Sequence, residues 1–216
     1  MSDITIRRAT DEDIPFLAKI ILLSETSGSE LYSYRTMFSD HDDNALLSGF
    51  ERAFNNSVPG HPFSVSTYLV AEVDNKKVCA VSGYIESPDE NSNDLITGAL
   101  MDGFGTEAVL KAYQQNALQK ETYIPRTPGT LQLSSGATLP GYRGLGVFSK
   151  VFYEHLAIAH AQGCTTAEFQ AWLGNKAIDM YYRMGCELIT EKKVILPDSR
   201  TAGKILMHIQ TKNRPQ

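Results

Sequence analysis

The segment Leu139-Pro140-Gly141-Tyr142-Arg143-Gly144-Leu145-Gly146-Val147-Phe148 obliges the chain to pass from strand to helix through a short turn. Before it lies a run of apolar and small residues at 131–139, which reads as a strand. After it, Phe148, Val151, Phe152, Leu156 and Ala159 recur at spacings of three and four, one face of a helix. The spacing predicts a helix over 143–162, with Gly163 as its C-terminal cap. The first N–H groups of a helix have no intrahelical acceptor, and the aligned peptide dipoles add partial positive charge there. Glycines let that backbone approach a guest closely, and Arg143 adds a full positive charge. An anion, typically a phosphate, suits such a place. Two familiar phosphate patterns do not fit. No G-x-x-x-x-G-K-[ST] occurs, and a G-x-G-x-x-G starting at Gly144 would need a glycine where Ser149 stands.

The rest of the chain builds a sheet around this unit. Ile4, Ile6 and Arg8 alternate with their neighbours as a first strand. Thr10-Asp11-Glu12-Asp13 resembles a capping box with Asp at its fourth position, and Ile14, Leu17, Ala18 and Ile21 follow as a helical stripe. Leu31, Tyr32, Tyr34, Met37 and Phe38 supply apolar bulk. Asp40-His41-Asp42-Asp43 reads as a solvated cap for a helix over 44–54 rather than as metal ligands, and 55–62 as a turn-rich linker. Runs at 67–73 and 78–85, separated by Asp74-Asn75-Lys76-Lys77, form a hairpin. Residues 88–130 are an insertion with one helix expected near 106–118. A connection this long is functional or a cover; a substrate-side cover and a peripheral decoration or dimer contact both remain open. A strand over 165–172 puts Ala167, Phe169 and Ala171 on one face. A short helix over 176–184 ends at Gly185, and 187–196 with 204–212 closes as a second hairpin. The order mixes hairpins with a crossover connection. It predicts an α/β chain with a mixed central sheet, helices on both faces, and a single domain over 4–212.

Read as [R/Q]-x-x-G-x-[G/A], the stretch Arg143 to Phe148, with Pro140 and Tyr142 before it, resembles the pyrophosphate-binding loop of the GNAT superfamily of acyl-CoA-dependent N-acetyltransferases. Phe148 stands where a small residue is commoner. Asn175-Lys176-Ala177-Ile178-Asp179-Met180-Tyr181-Tyr182-Arg183-Met184-Gly185-Cys186 resembles the same family's N-x-x-A-x-x-L-Y-x-x-x-G-F. Ala177, Met180, Tyr181 and Gly185 fall in register. Asn175 lies one residue closer to the alanine than usual, with Gly174 in its common place, and Cys186 replaces a phenylalanine. With the N-terminal strand, turn and helix, the resemblance spans the chain apart from the insertion. It implies a mostly antiparallel twisted sheet of about seven strands, with the helical insertion between strands three and four.

The resemblance also implies a reaction: acetyl transfer from acetyl-CoA, the only cofactor and without a metal, to a primary amine of a small molecule or protein, by direct attack in a ternary complex. Backbone N–H groups of Arg143, Gly144, Leu145, Gly146, Val147 and Phe148 would hold the pyrophosphate. The backbone of Ala137 and Leu139 would pair with the pantetheine arm, and Asn175 would touch the cofactor. Tyr181 would return a proton to the leaving thiolate, while Tyr182 faces elsewhere. A homodimer is the family's expectation. The base is unassigned: Glu86 and Glu168 fall near the cleft, and each reads more readily as a surface or structural carboxylate. A second reading is a non-catalytic acyl-CoA-binding module, and a third is an unrelated α/β protein with a fortuitous glycine turn.

Composition narrows the partners. A net charge of −5 without a basic run argues against nucleic acid. No apolar stretch is long enough for a membrane span, and the N-terminus lacks the pattern of a secretory signal. Cys79, Cys164 and Cys186 form no paired framework and read as small buried hydrophobes, which fits a reducing, cytoplasmic setting.

Overall fold

The computed structural model describes residues 3–25, 34–55 and 58–213, so Leu31 and Tyr32 lie outside it. One sheet carries seven strands in the order β1-β2-β3-β4-β5-β7-β6. They are β1 Ile4–Arg8, β2 Tyr68–Val73, β3 Lys76–Ile85, β4 Leu131–Thr138, β5 Thr166–Trp172, β6 Glu187–Ile195 and β7 Thr201–Gln210. Neighbours are antiparallel except β4 and β5, which run parallel. The β2–β3 turn forms at Asp74 and Asn75 with φ of 50° and 60°; a two-residue hairpin turn needs positive φ at both places, and these residue types tolerate it. In the last hairpin β7 takes the inner position. It brings Ala202, Ile205, Leu206, Met207 and Ile209 to the core, whereas β6, with Glu187, Glu191, Lys192 and Lys193, is left as an exposed edge.

Helices cover both faces. On one lie α1 Ile14–Glu25, α3 Asp43–Ala53 and α4 Ser92–Phe104, packing Leu17, Ile20, Ile21, Leu46, Phe50 and Leu100 against Tyr68, Val70 and Ala80. Short α2 Tyr34–Met37 adds Tyr34 and Met37 to this side. On the other, α7 Val147–Ala161 sets Val151, Phe152 and Leu156 against Leu69, Ala71, Val81 and Phe169. One polar side chain fixes α7 over the sheet: His155 Nε2 donates to Val81 O at 2.9 Å, under Gly83. Short α8 Ile178–Arg183 joins this face through Ile178 and Tyr181.

The N-terminal capping box forms, and Asp13 does more than close it. Its carboxylate accepts from Thr10 N at 2.9 Å and binds Arg7 at 2.7 Å and Lys77 at 2.8 Å. Burial alone would raise this carboxyl, but those donors outweigh it and hold it well below the usual range. Asp42 caps α3 by accepting from Ala45 N at 2.8 Å, while Asp43 pairs with Arg35 and Asp40 with Lys111. All three cysteines are buried and free; burial pushes the Cys79 thiol up to about 11 and that of Cys186 to about 12. Among the described residues no helix is long and apolar enough to cross a membrane.

Two expectations need correction. The insertion holds three helices, not one: α4 is followed by α5 Thr106–Gln115 and α6 Ala117–Glu121. Polar residues and glycines make the α4 sequence read as loop, since glycine disfavours helix. Here the glycines allow close contact: a Cβ at Gly103 would lie 2.3 Å from Gly49 O, and one at Gly49 would lie 2.2 Å from the Phe104 ring. Arg52 Nη2 donates to Gly103 O at 2.6 Å across the same contact. The second correction concerns α7, which starts at Val147 rather than Arg143, because Gly144 and Gly146 hold φ of 79° and 73°, outside the helical region.

Candidate functional site

The turn into α7 is an unusually open piece of backbone. Pro140–Tyr142 make a single 3-10 turn, Gly146 is the N-cap, and the first recorded bond of the helix runs from Lys150 N to Gly146 O. Among the described residues, no N–H from Gly144 through Ser149 finds a protein acceptor. A Cβ on Gly141, Gly144 or Gly146 would meet nothing within 4 Å. Gly144 and Gly146 are therefore needed for their backbone angles, and the space before all three is free. Val147 anchors the helix in the core, and Phe148 turns inward, its ring 6.2 Å from that of Tyr181 and 6.3 Å from that of Phe152. The bulky side chain at 148 thus leaves its N–H at the helix start. Exposed Arg143 donates from Nε to Thr138 O at 3.2 Å, fixing the turn to the end of β4. A row of unaccepted amides, a helix dipole and a guanidinium fit a diphosphate.

Beside this turn the sheet comes apart. Parallel β4 and β5 pair only at Leu131–Ala167 and Gln132–Glu168, and beyond those residues they diverge. The β4 strand also bulges: Ala80 faces Ala137 but Ser82 faces Ser134, so β4 carries an extra residue, and Ser135 adopts φ 45°. The register settles which backbone groups face the gap. Leu139 N donates to Val78 O at 2.8 Å, and by strand alternation Ala137, opposite Ala80, turns to β3 as well. The groups turned to the gap belong to the residues between, Thr138 among them, and the Thr138 carbonyl is the one Arg143 covers.

Under the gap lies a cavity of about 680 Å³. Gly136, Phe148, Phe152, Phe169, Asn175 and Tyr181 line one part; Glu25, Tyr34, Asn93, Gln119, Arg126 and Lys204 line another. Three of the latter, Asn93, Gln119 and Arg126, come from the insertion, which is thus part of the wall. The α7 turn from Arg143 to Val147 lies outside the cavity lining, and Ala137 and Leu139 do as well. Tyr181 packs against Phe169 with ring centroids 4.4 Å apart; burial, then the neighbouring Cys186, raise its phenol well above the ordinary value and keep it protonated. Tyr182 is exposed. Asn175 Oδ1 accepts from Ala177 N at 2.8 Å and so helps start α8, leaving its amide nitrogen for a ligand.

The two carboxylates suggested by sequence have structural partners. Glu86 accepts from Ser92 N at 3.2 Å and Ser92 Oγ at 2.6 Å, capping α4. Glu168 accepts from Thr127 N and from Gln132 Nε2, each at 3.3 Å. The acid that lines the cavity is Glu25, the last residue of α1, and among the described residues it is the only one to do so. Burial raises its carboxyl to about 7, against an opposing pull from Lys204. Nothing in the sequence marked it, because a carboxylate at the end of a helix becomes unusual only through what encloses it.

No family model matches the sequence, and no curated protein does. Solved structures match the fold over nearly its whole length. SsHAT aligns with TM-score 0.61 at 14% identity, over 98% of this chain and 100% of its own. The yncA protein of Salmonella typhimurium, solved with its cofactor acetyl-CoA, aligns with TM-score 0.54 at 14% identity, over 99% and 96%. A GNAT-family acetyltransferase of Streptococcus pneumoniae gives 0.53 at 12%, over 96% and 99%. The chain has the fold of the GNAT acetyltransferases.

Proposed function

We propose that this chain transfers an acetyl group from acetyl-CoA to a primary amine bound in the cavity. The observation that carries this reading is the row of unaccepted amides from Gly144 to Ser149, set where β4 leaves the gap, in a fold built the same way in the GNAT acetyltransferases. Bound acetyl-CoA supplies a thioester carbon open to attack by nitrogen. The turn from Arg143 to Phe148 holds the diphosphate. Backbone groups of β4 that face the gap receive the pantetheine arm; Ala137 and Leu139 border it through the strand they belong to, their own amides being turned to β3. The amide nitrogen of Asn175 flanks the arm.

Within the cavity the protons have places to go. An amine arrives as an ammonium and must lose a proton before it attacks. Glu25 takes that proton, directly or through one water, and its carboxyl titrates near working pH, where a base is most effective. As the new C–N bond forms and the C–S bond breaks, Tyr181 gives its phenolic proton to the departing sulfur, and the tyrosinate takes back the second proton that the amine nitrogen sheds. The raised pKa of Tyr181 suits an acid that must not ionise early.

The test is a thermal melt with and without acetyl-CoA on the native chain and on Gly146→Asp. Aspartate tolerates the left-handed backbone better than most residues, so this variant should fold, while its carboxylate repels a diphosphate. Acetyl-CoA at a hundred times its dissociation constant should stabilise the native chain by about 2.7 kcal/mol and the variant far less. No shift in the native chain at millimolar acetyl-CoA would make the turn a structural one and end the reading. Stabilisation without thiol release across a broad amine panel would favour a binding module instead.

A further inference from the structure

Three cations line the cavity: exposed Lys120, and half-buried Arg126 and Lys204, the latter two with no carboxylate in ion-pair contact among the described residues. Arg126, in the segment leading into β4, donates from Nη1 to the side-chain oxygen of Asn93. Lys204, on β7, donates to Gln119 Oε1 at 2.6 Å and lies over the Trp172 ring at 4.3 Å. Both partners are neutral amides, and among the described residues neither cation makes an ion pair within 4.0 Å. The two charges also repel. Burial, then Arg126, bring the Lys204 ammonium down to about 8, with Glu25 pulling the other way. Enclosing like charges with Glu25 as the one acid in the cavity lining is costly unless something else neutralises them. The insertion contributes Asn93, Gln119 and Arg126, so the arrangement is built, not incidental. Nor does it serve the diphosphate: the α7 turn follows the other end of β4, an eight-residue strand, and lies outside the cavity lining.

We propose that Arg126 and Lys204 form an anion subsite, and that the acceptor is a small amine which also carries a carboxylate or phosphate. This rests on the acetyl-transfer reading above. The acceptor's anion lies on Arg126 and Lys204 while its ammonium turns to Glu25, so one molecule balances both signs of charge in the cavity. A guanidinium grips either anion with two parallel hydrogen bonds. Polyamines, which would add positive charge beside two cations, are poor acceptors.

Two readouts test this. The first is thiol release at saturating acetyl-CoA with free amino acids and O-phosphoethanolamine, set against amino-acid amides, ethanolamine and spermidine. Anionic acceptors should be preferred by about a hundredfold in kcat/KM, and Arg126→Gln and Lys204→Met should remove the preference mainly through KM while the acetyl-CoA melt shift is retained. Whether carboxylates or phosphates lead identifies the anion. Neutral amines or spermidine accepted equally well would overturn the proposal, as would variants that lose nothing. A preference that follows the donor, with succinyl-CoA replacing acetyl-CoA in the native chain but not in Arg126→Gln, would place the anion on the acyl group and also overturn it. The second readout needs no turnover: the melt is repeated with the same acceptors and no acetyl-CoA. A shift by the anionic set in the native chain but not in Arg126→Gln supports the subsite even if acetyl transfer fails. No shift by any of them, in a chain that acetyl-CoA does stabilise, counts against the subsite and leaves the transfer reading standing.

Discussion

Near neutral pH Glu25 is half ionised, because burial has brought its carboxyl up to about 7 from an ordinary value of 4.5. Between those two values the folded chain holds a proton that the unfolded chain has lost, so this residue makes stability fall as pH rises through the window. Glu25→Gln removes that dependence and should leave a protein that melts higher than native at pH 8. The same change should lower kcat by about a hundredfold or more and abolish the rising limb of the rate profile near pH 7. A variant that keeps the limb would take the base role away from Glu25. Lys204, brought down to about 8, titrates in the same direction, so it is the loss of the limb in Glu25→Gln, with Lys204 intact, that assigns it to Glu25. Tyr181→Phe should spare the fold, since the ring keeps its contacts with Phe148, Phe152 and Phe169; measured at high pH, its loss of rate should fall in kcat rather than KM. Tyr181 was suggested by the family resemblance of residues 175–186, and it lies in the cavity wall. Glu25, Arg126 and Lys204 were not legible in the sequence, because they lie on separate elements and meet only once the chain has folded.

The elements were most legible where pattern and position agreed. The stripe of α7, the turn before it and the β2–β3 hairpin are local in sequence and survive in the fold. What misled was glycine: Gly98 and Gly103 made α4 look like loop, though Gly103 is what allows α3 and α4 to touch and Gly98 faces open space. The β4 bulge was equally hidden, since Ser134-Ser135-Gly136 carries no alternation to break. Glycine also sets how α7 meets the sheet. A Cβ on Gly83 would lie 2.5 Å from His155 Nδ1, so Gly83→Ala must push the ring and its bond to Val81 O aside, at a cost of about 1–3 kcal/mol in a denaturant titration. Burial holds the His155 imidazole down at about 4, against the ordinary 6.5. The unfolded chain therefore gains a proton first on acidification, and stability should fall as pH drops from 6.5 toward 4. His155→Gln should flatten that part of the curve; an unchanged acid limb would show that His155 does not set it.

At the scale of the whole molecule the sheet has two wings, β1 to β4 and β5-β7-β6, whose strands pair with each other at two residue positions. Glu168 fastens the closed end by accepting from Thr127 and Gln132. Amide exchange should show it: without ligand, Thr138 and those β5 amides beyond Glu168 that face the gap rather than β7 should exchange much faster than the amides of β7, and acetyl-CoA should slow them selectively. Uniform protection across β4 and β5 in the free protein would mean the gap is not a weak line. The general architecture was readable because each strand declares itself locally; the parting of β4 from β5 was not, since it is set by what fails to pair. That parting reaches beyond chemistry. A chain with so few backbone bonds between β4 and β5 when empty should be clipped by proteases from states in which that line opens, and donor binding depletes those states. Its half-life in a cell would then track the acetyl-CoA supply, so that starvation thins the population with no separate regulator, an effect a pulse-chase under donor depletion should reveal in the native chain and not in Gly146→Asp.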